Sequence, residues 1–182
     1  MSTTYFTSKD IVIISIFGCL SALSTLTTNF IPAPLPGLYA AISIPVSTTL
    51  ILMVRTIIDK DGAATLMQIV SGFISTFLPG GPPVKWIIIP SWAAGGIIVD
   101  AYFHLLNNTR KSKLFYTVIG LINTIPGDFI IYWAFNAFLG WSWPLTFFLY
   151  GFVAIHAILG GLAGFLFFDI FKRIKPEVER IR

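Results

Sequence analysis

One cysteine, two histidines and eight acidic residues are all that this chain of 182 residues offers to covalent or metal chemistry. A lone Cys19 excludes an intrachain disulfide and a cysteine-rich metal site. The apolar runs set out below put His104 near one end of a segment and His156 near the centre of another, which argues against a shared haem iron. No glycine-rich loop leads into Lys-Ser or Lys-Thr, so the chain is not expected to hydrolyse ATP itself. HExxH and G-x-S-x-G are missing too. No enzyme, cofactor or metal is expected from this set. Charge is also scarce. Soluble domains carry about 25% charged residues, whereas this chain has 11%, against 55% hydrophobic. No polar block is long enough to fold separately, so a single domain over 1–182 is expected. The first apolar run is not followed by a small-x-small cleavage pattern and is expected to remain as a helix.

What the chain has in abundance is apolar runs long enough to cross a bilayer. They fall at about 11–31, 37–58, 62–78, 84–106, 114–139 and 144–171, followed by a charged tail at 172–182. This predicts an all-α membrane protein, a six-transmembrane-helix bundle with lipid around it. Ser8 or Asp10 is expected to cap the first run. Pro45 is expected to kink the second. An even number of spans returns both termini to one side. Eleven of the twelve Lys and Arg residues fall on that side and only Lys85 on the other. The positive-inside rule then makes both termini cytoplasmic, in a multi-pass protein of the cell membrane. The same placement accounts for the net charge of +4 without a nucleic-acid partner. Proline-rich loops at 32–36 and 79–83 close the outer side.

The fifth run holds the strangest stretch, LINTIPGDFIIYWAFN, from Leu121 to Asn136. Pro126 removes a helix hydrogen bond and frees the carbonyl of Ile122. Two residues later comes Asp128, the one acid expected near the middle of the bilayer. Such a carboxylate costs at least a few kcal/mol unless it is protonated or paired. Both features are tolerated where a helix lines a cavity or packs inside protein. Runs five and six are joined by a tight turn, so His156 is placed to hydrogen-bond Asp128. Tyr132 and Asn136 lie one and two turns outward of it. Lys85, Trp86, Trp133, Trp141 and Trp143 gather on the same side. Gln68 belongs to a polar stripe with Thr65, Gly72 and Ser75, which is expected to look inward.

Together these residues suggest an outward pocket for a small flat heteroaromatic ligand, with rings to stack on and a few polar groups to orient it. The candidate ligand contacts are Asp128, Tyr132, Asn136, His156, Lys85, Trp86, Trp133, Gln68 and Asn29. The competing reading is that Asp128 only satisfies a neighbouring His, Lys or kinked backbone. In the same vein, Lys85 only snorkels to water and the tryptophans only anchor the interface. Asp100 is expected to meet the basic loop at 107–113.

On the first run, Ser15, Gly18, Ala22, Thr25 and Asn29 share one helical face. Gly18 and Ala22 make a small-xxx-small step on which another helix can pack. That helix belongs either to this bundle or to a partner subunit, which makes Ser15, Gly18 and Ala22 the candidate docking residues. A non-catalytic packing subunit of a larger membrane complex is the alternative to a ligand binder.

Six short helices, an outward aromatic pocket, a small-residue face on the first helix and no ATPase together resemble one family. This is the substrate-binding S component of energy-coupling-factor importers. Between Arg55 and Lys113, Asp-Gly-Ala-Ala at 61–64, Gly-Gly-Pro-Pro at 80–83 and Ala-Ala-Gly-Gly at 93–96 occur in order, with Asp100 shortly before Arg110-Lys111. That order resembles the branch associated with hydroxymethylpyrimidine or thiamine precursors. The branch tends to show a glutamate where this chain has Asp100, and an acid in the third run where it has Gln68. The resemblance implies capture of a vitamin-like molecule, docking of the Gly18–Ala22 face on a membrane coupling protein, and import driven by two cytoplasmic ATPase subunits. It also implies that the proline loops gate the pocket.

Overall fold

Thr7, not Ser8, caps the first helix. Its hydroxyl accepts from the amide of Asp10 while the Asp10 carboxylate accepts from the amide of Thr7, a reciprocal cap. The structure is a computed structural model and describes residues 5–31, 36–106 and 112–181. Most of the proline loop at 32–36 and of the basic loop at 107–113 lies outside the described residues. Helix α1 spans Ser8–Ser24 and tightens into a 3-10 turn over Thr25–Phe30. A second 3-10 turn, Pro36–Ala40, precedes α2, Ser43–Ile58. Pro45 falls in the first turn of α2, where a missing N–H costs nothing, so the expected kink is not needed. Asp59 and Gly62 both take positive φ, 52° and 87°, and turn the chain sharply into α3, Ala63–Ser75.

Helix α4, Ile88–Leu105, follows a short 3-10 turn at Lys85–Ile87. The fifth apolar run is two helices, α5 (Lys113–Ile122) and α6 (Ile125–Leu139). The sixth opens as α7, Leu145–Phe148, widens into a π-turn over Leu149–Val153 and continues as α8, Ala154–Ile181. The backbone of α8 therefore runs on through Pro176 and into the charged tail expected at 172–182. Among the described residues there is no strand. Four helical stretches are long and apolar enough to cross a membrane: Ser8–Phe30, Lys85–Leu105, Lys113–Leu139 and Leu145–Ile174. Ser43–Ile58 and Ala63–Ser75 are shorter apolar helices.

Glycines set the closest crossings. Gly120 of α5 and Gly160 of α8 face each other so tightly that a Cβ on either would run into the other's carbonyl oxygen. On α1, a Cβ at Gly18 would meet the Met67 carbonyl at 3.1 Å and a methyl of Val70 at 2.8 Å. Gly18 is thus buried against α3 inside the bundle, Ala22 is fully buried and Ser15 is half-buried. The expected partner-docking face of Ser15, Gly18 and Ala22 is corrected accordingly: the small residues serve the fold's own α1–α3 contact. What α1 exposes is the opposite, apolar side, with Val12, Ile16 and Leu20.

At the end of the bundle where α2 meets α3, a core of Ile51, Leu52, Val54, Phe103, Phe115, Tyr116 and Phe167 surrounds Arg55, which is 1% exposed. Arg55 pairs with Asp100 (3.0 Å), Asp61 (2.6 Å) and Asp59 (3.2 Å). Asp100 also accepts from Ala64 N, Thr65 N and the Thr65 hydroxyl. Those amides belong to the first turn of α3, whose N-cap is Gly62 and carries no side-chain cap. Asp100 caps α3 from the neighbouring helix, because its carboxylate finds unpaired N–H groups there. Most of the 107–113 loop that it was expected to meet lies outside the described residues.

Candidate functional site

The break between α5 and α6 builds the site. Asn123 still donates to Ile119 O and Asp128 donates to Thr124 O, both at 3.0 Å. Pro126 between them has no N–H to give, so α5 stops at Ile122 and α6 restarts at Ile125. Ser91 on α4 holds the restart in place, its hydroxyl donating to Gly127 O at 2.9 Å. Gly127 allows this approach, since a Cβ there would meet the Ser91 carbonyl at 2.7 Å.

Beside the break lies a cavity of about 140 Å³. Its walls are Ser43, Ser47 and Thr48 of α2, Gln68 and Ser75 of α3, and Ser91, Trp92 and Gly95 of α4. Asn123 and Thr124 come from the break, Asp128 and Ile131 from α6, and Phe152 and His156 from the sixth run. Thr25, Thr28, Tyr39 and the 80–82 turn close one end. Cavities of about 150 Å³ hold one benzene-sized ring, which sets the ligand scale.

Asp128 and His156 meet across this space, Oδ1 to Nδ1 at 2.8 Å, with 4% and 5% of their surfaces exposed. Their other polar atoms, Asp128 Oδ2 and His156 Nε2, have no protein partner. Gln68 Oε1, Ser75 Oγ, Asn123 Oδ1 and Thr124 Oγ1 are buried and unpartnered in the same way, and all six atoms belong to cavity-lining residues. Buried polar groups in proteins are nearly always hydrogen-bonded. Six exceptions on residues that line one hollow mark it as a polar setting for a small molecule. Tyr39, Trp92 and Phe152 add flat apolar area to the same wall.

Of the ligand contacts expected from sequence, the structure brings together Asp128, His156 and Gln68. The other six do not line the cavity. Tyr132 is held elsewhere, its hydroxyl donating to Trp143 O at 3.0 Å and its ring packed 4.4 Å from that of Phe148. Asn136 is exposed and donates to the carbonyl of Tyr132 on its own helix. Trp133 and Trp86 are more than half exposed and pack edge-on against Phe138. Lys85 donates from Nζ to the carbonyls of Leu78 and Gly80. Asn29 donates to Pro79 O and rests on Gly80. These last two brace the turn that walls the cavity and do not touch the space itself.

The aromatic wall is therefore Tyr39, Trp92 and Phe152, not the outer tryptophans. Sequence reasoning also missed the α2 contribution, although Ser43 and Ser47 stand four apart on one face of an apolar helix, a legible inward stripe. Among the described residues no group of His, Cys, Asp and Glu is arranged to hold a metal. Compared with protein-family models, with curated proteins and with solved structures, the chain matches none.

Proposed function

We propose that this chain is the substrate-binding membrane component of an importer. It takes up a small, vitamin-like heteroaromatic compound in the cavity beside the α5–α6 break. The observation that carries the reading is six buried, unpartnered polar atoms, all on residues that line a volume fit for one ring. A packing subunit has no use for such a wall, since each unmet buried group costs about 1–3 kcal/mol. A discontinuous helix with its restart at the site is also how membrane transporters commonly form substrate sites.

In this reading the chain crosses the cell membrane six times with both termini in the cytoplasm, following the eleven-to-one split of Lys and Arg. The resemblance to energy-coupling-factor S components, including the thiamine-precursor branch, extends the proposal to partners. Energy for import comes from a membrane coupling protein and two ATPase subunits, because the chain has no nucleotide loop of its own.

The test is direct. The full chain, purified in mild detergent, is examined by native mass spectrometry for a co-purifying small molecule and by thermal shift against a panel of vitamins and their precursors. A bound compound of one or two rings, or a rise in unfolding temperature with a panel member, is expected. No bound mass and no shift with any compound would sink the proposal.

A further inference from the structure

Cations collect at the corner of the bundle where α5 begins and the apolar part of α8 ends. Eight of the twelve Lys and Arg residues lie in 107–113 and 172–182. Close packing of α5 on α8, with Gly160 facing Gly120 and Gly164 facing the Tyr116 carbonyl, brings the first turn of α5 beside the last apolar turns of α8. Lys113 opens α5. Its Nζ bonds Asp169 Oδ2 of α8 at 2.6 Å and lies 3.5 Å from the centre of the Phe165 ring. Lys172 lies 4.4 Å over the Phe168 ring, and both Lys172 and Arg173 are exposed. Phe165, Asp169, Lys172 and Arg173 stand at i, i+4, i+7 and i+8, so they share one face of α8. Among the described residues, Asp169 is the acid with which this group pairs, and three cations against one carboxylate leave a surplus of two positive charges.

We infer that Lys113, Lys172 and Arg173 bind the headgroup of an anionic phospholipid whose acyl chains lie along α8. Placement comes first. Lys113 starts the apolar stretch Lys113–Leu139, while Lys172 and Arg173 close the stretch Leu145–Ile174, so all three stand at the level of a membrane surface. On the bilayer side of these cations, Phe165, Leu166 and Ile170 are 45%, 58% and 43% exposed and form an apolar wall. Positive charge above an apolar wall matches a phosphate that carries tails. An acidic protein segment or a free phosphate would match the charge and leave the wall uncovered. The rings of Phe165 and Phe168 also hold the two lysines in place, so less side-chain freedom is lost when a phosphate arrives. On the topology proposed above this is the cytoplasmic leaflet, whose anionic lipids attract basic clusters beside a transmembrane helix. The inference needs the membrane reading but not the small-molecule site, which lies on the other side of the Gly120–Gly160 crossing along α8.

Two lipids with the same acyl chains isolate the headgroup: dioleoylphosphatidylglycerol, which is anionic, and dioleoylphosphatidylcholine, which is zwitterionic. Native mass spectrometry of the full chain in mild detergent, titrated with each lipid, gives the two dissociation constants. A surplus of two positive charges, at about fivefold per cation near the surface, predicts about thirtyfold tighter binding of phosphatidylglycerol. Lys172→Gln combined with Arg173→Gln removes that surplus and should bring the two lipids level. Both positions are exposed, so the double variant should unfold at the parent's temperature in phosphatidylcholine. Lys9→Gln, which removes an exposed cation at the start of α1, should leave the preference unchanged. Equal binding of the two lipids by the parent, a preference that survives the double variant, or one that falls as far with Lys9→Gln would overturn the inference. A soluble polyglutamate peptide is the remaining arm. If it binds the parent but not the double variant while phosphatidylglycerol is not preferred, the corner seats an acidic protein and the lipid assignment is refuted.

Discussion

Replacing Asp128 by leucine separates a ligand-binding carboxylate from a structural one. The substitution removes the Oδ1 bond to His156 and the free Oδ2 acceptor while keeping a side chain of similar bulk. A hydrogen bond involving a charged group is worth about 1.5–3 kcal/mol, and about 1.4 kcal/mol is a factor of ten in affinity. Ligand affinity should therefore fall between about tenfold and a hundredfold or slightly more. Stability should hardly move. His156 can be neutral without its partner, so no lone charge is left behind; what remains is one unmet ring nitrogen, costing about 1–3 kcal/mol. Burying leucine in its place returns about 1.5–3 kcal/mol. The two nearly cancel, and the unfolding temperature should stay within about 4 °C of the parent. Asp100→Leu is the control, since Asp100 is just as buried (7% exposed) but serves Arg55 and the start of α3. Breaking that buried pair should cost about 3–5 kcal/mol and leave affinity unchanged in whatever protein stays folded. Calorimetric unfolding and ligand titration of both variants give the four numbers. If Asp128→Leu unfolds far earlier than the parent and the surviving protein binds normally, the carboxylate is scaffolding and the reasoning is refuted.

Three further outcomes follow from the geometry. Gly160→Ala should destabilise by about 1–3 kcal/mol through overpacking against Gly120 and should also weaken ligand binding, because His156 sits one turn earlier on the same helix; thermal unfolding and titration measure the two together. Lys85→Met should release the 78–80 turn and raise the ligand dissociation rate about tenfold, with less effect on association, as stopped-flow would record. Trp133→Ala and Asn136→Ala, on the exposed face of α6, should leave affinity within about twofold, since neither touches the cavity.

The helices were legible because apolar runs and proline punctuation are local signals. The break in the fifth run was legible for the same reason: a proline's missing N–H is a property of one residue. The Asp128–His156 bond also followed from sequence, as a short turn makes the fifth and sixth runs neighbours and depth alone then pairs the two. The aromatic wall was misjudged where proximity in sequence replaced geometry. Trp133 is five residues from Asp128, about 140° around a helix of 3.6 residues per turn, so it points away from the site that Asp128 faces. What Asp100 meets among the described residues was illegible for a different reason. Its partners at Ala64, Thr65 and Arg55 lie 35 or more residues back. Which of them it meets depends on the register of α3 against α4, a tertiary quantity that no local pattern carries.

That register also divides the molecule into unlike halves. Around Arg55 the helices are regular, the crossings are fixed by backbone contact at Gly120 and Gly160, and the core is a continuous set of large apolar side chains. The irregular backbone gathers toward the cavity: the 3-10 turns at Thr25–Phe30 and Pro36–Ala40, the 80–82 turn, the α5–α6 break and the π-turn at Leu149–Val153. Each departure from the α-helix gives up regular hydrogen bonding, and local opening concentrates where such bonds are weakest. Scattered through the chain they would only lower stability. Collected around one hollow, they place the least regular backbone hydrogen bonding beside the Asp128–His156 pair, with the Gly120–Gly160 crossing one turn along α8 from His156. On the proposed binding reading, that arrangement offers an entering small molecule a yielding rim beside polar atoms anchored on regular helix.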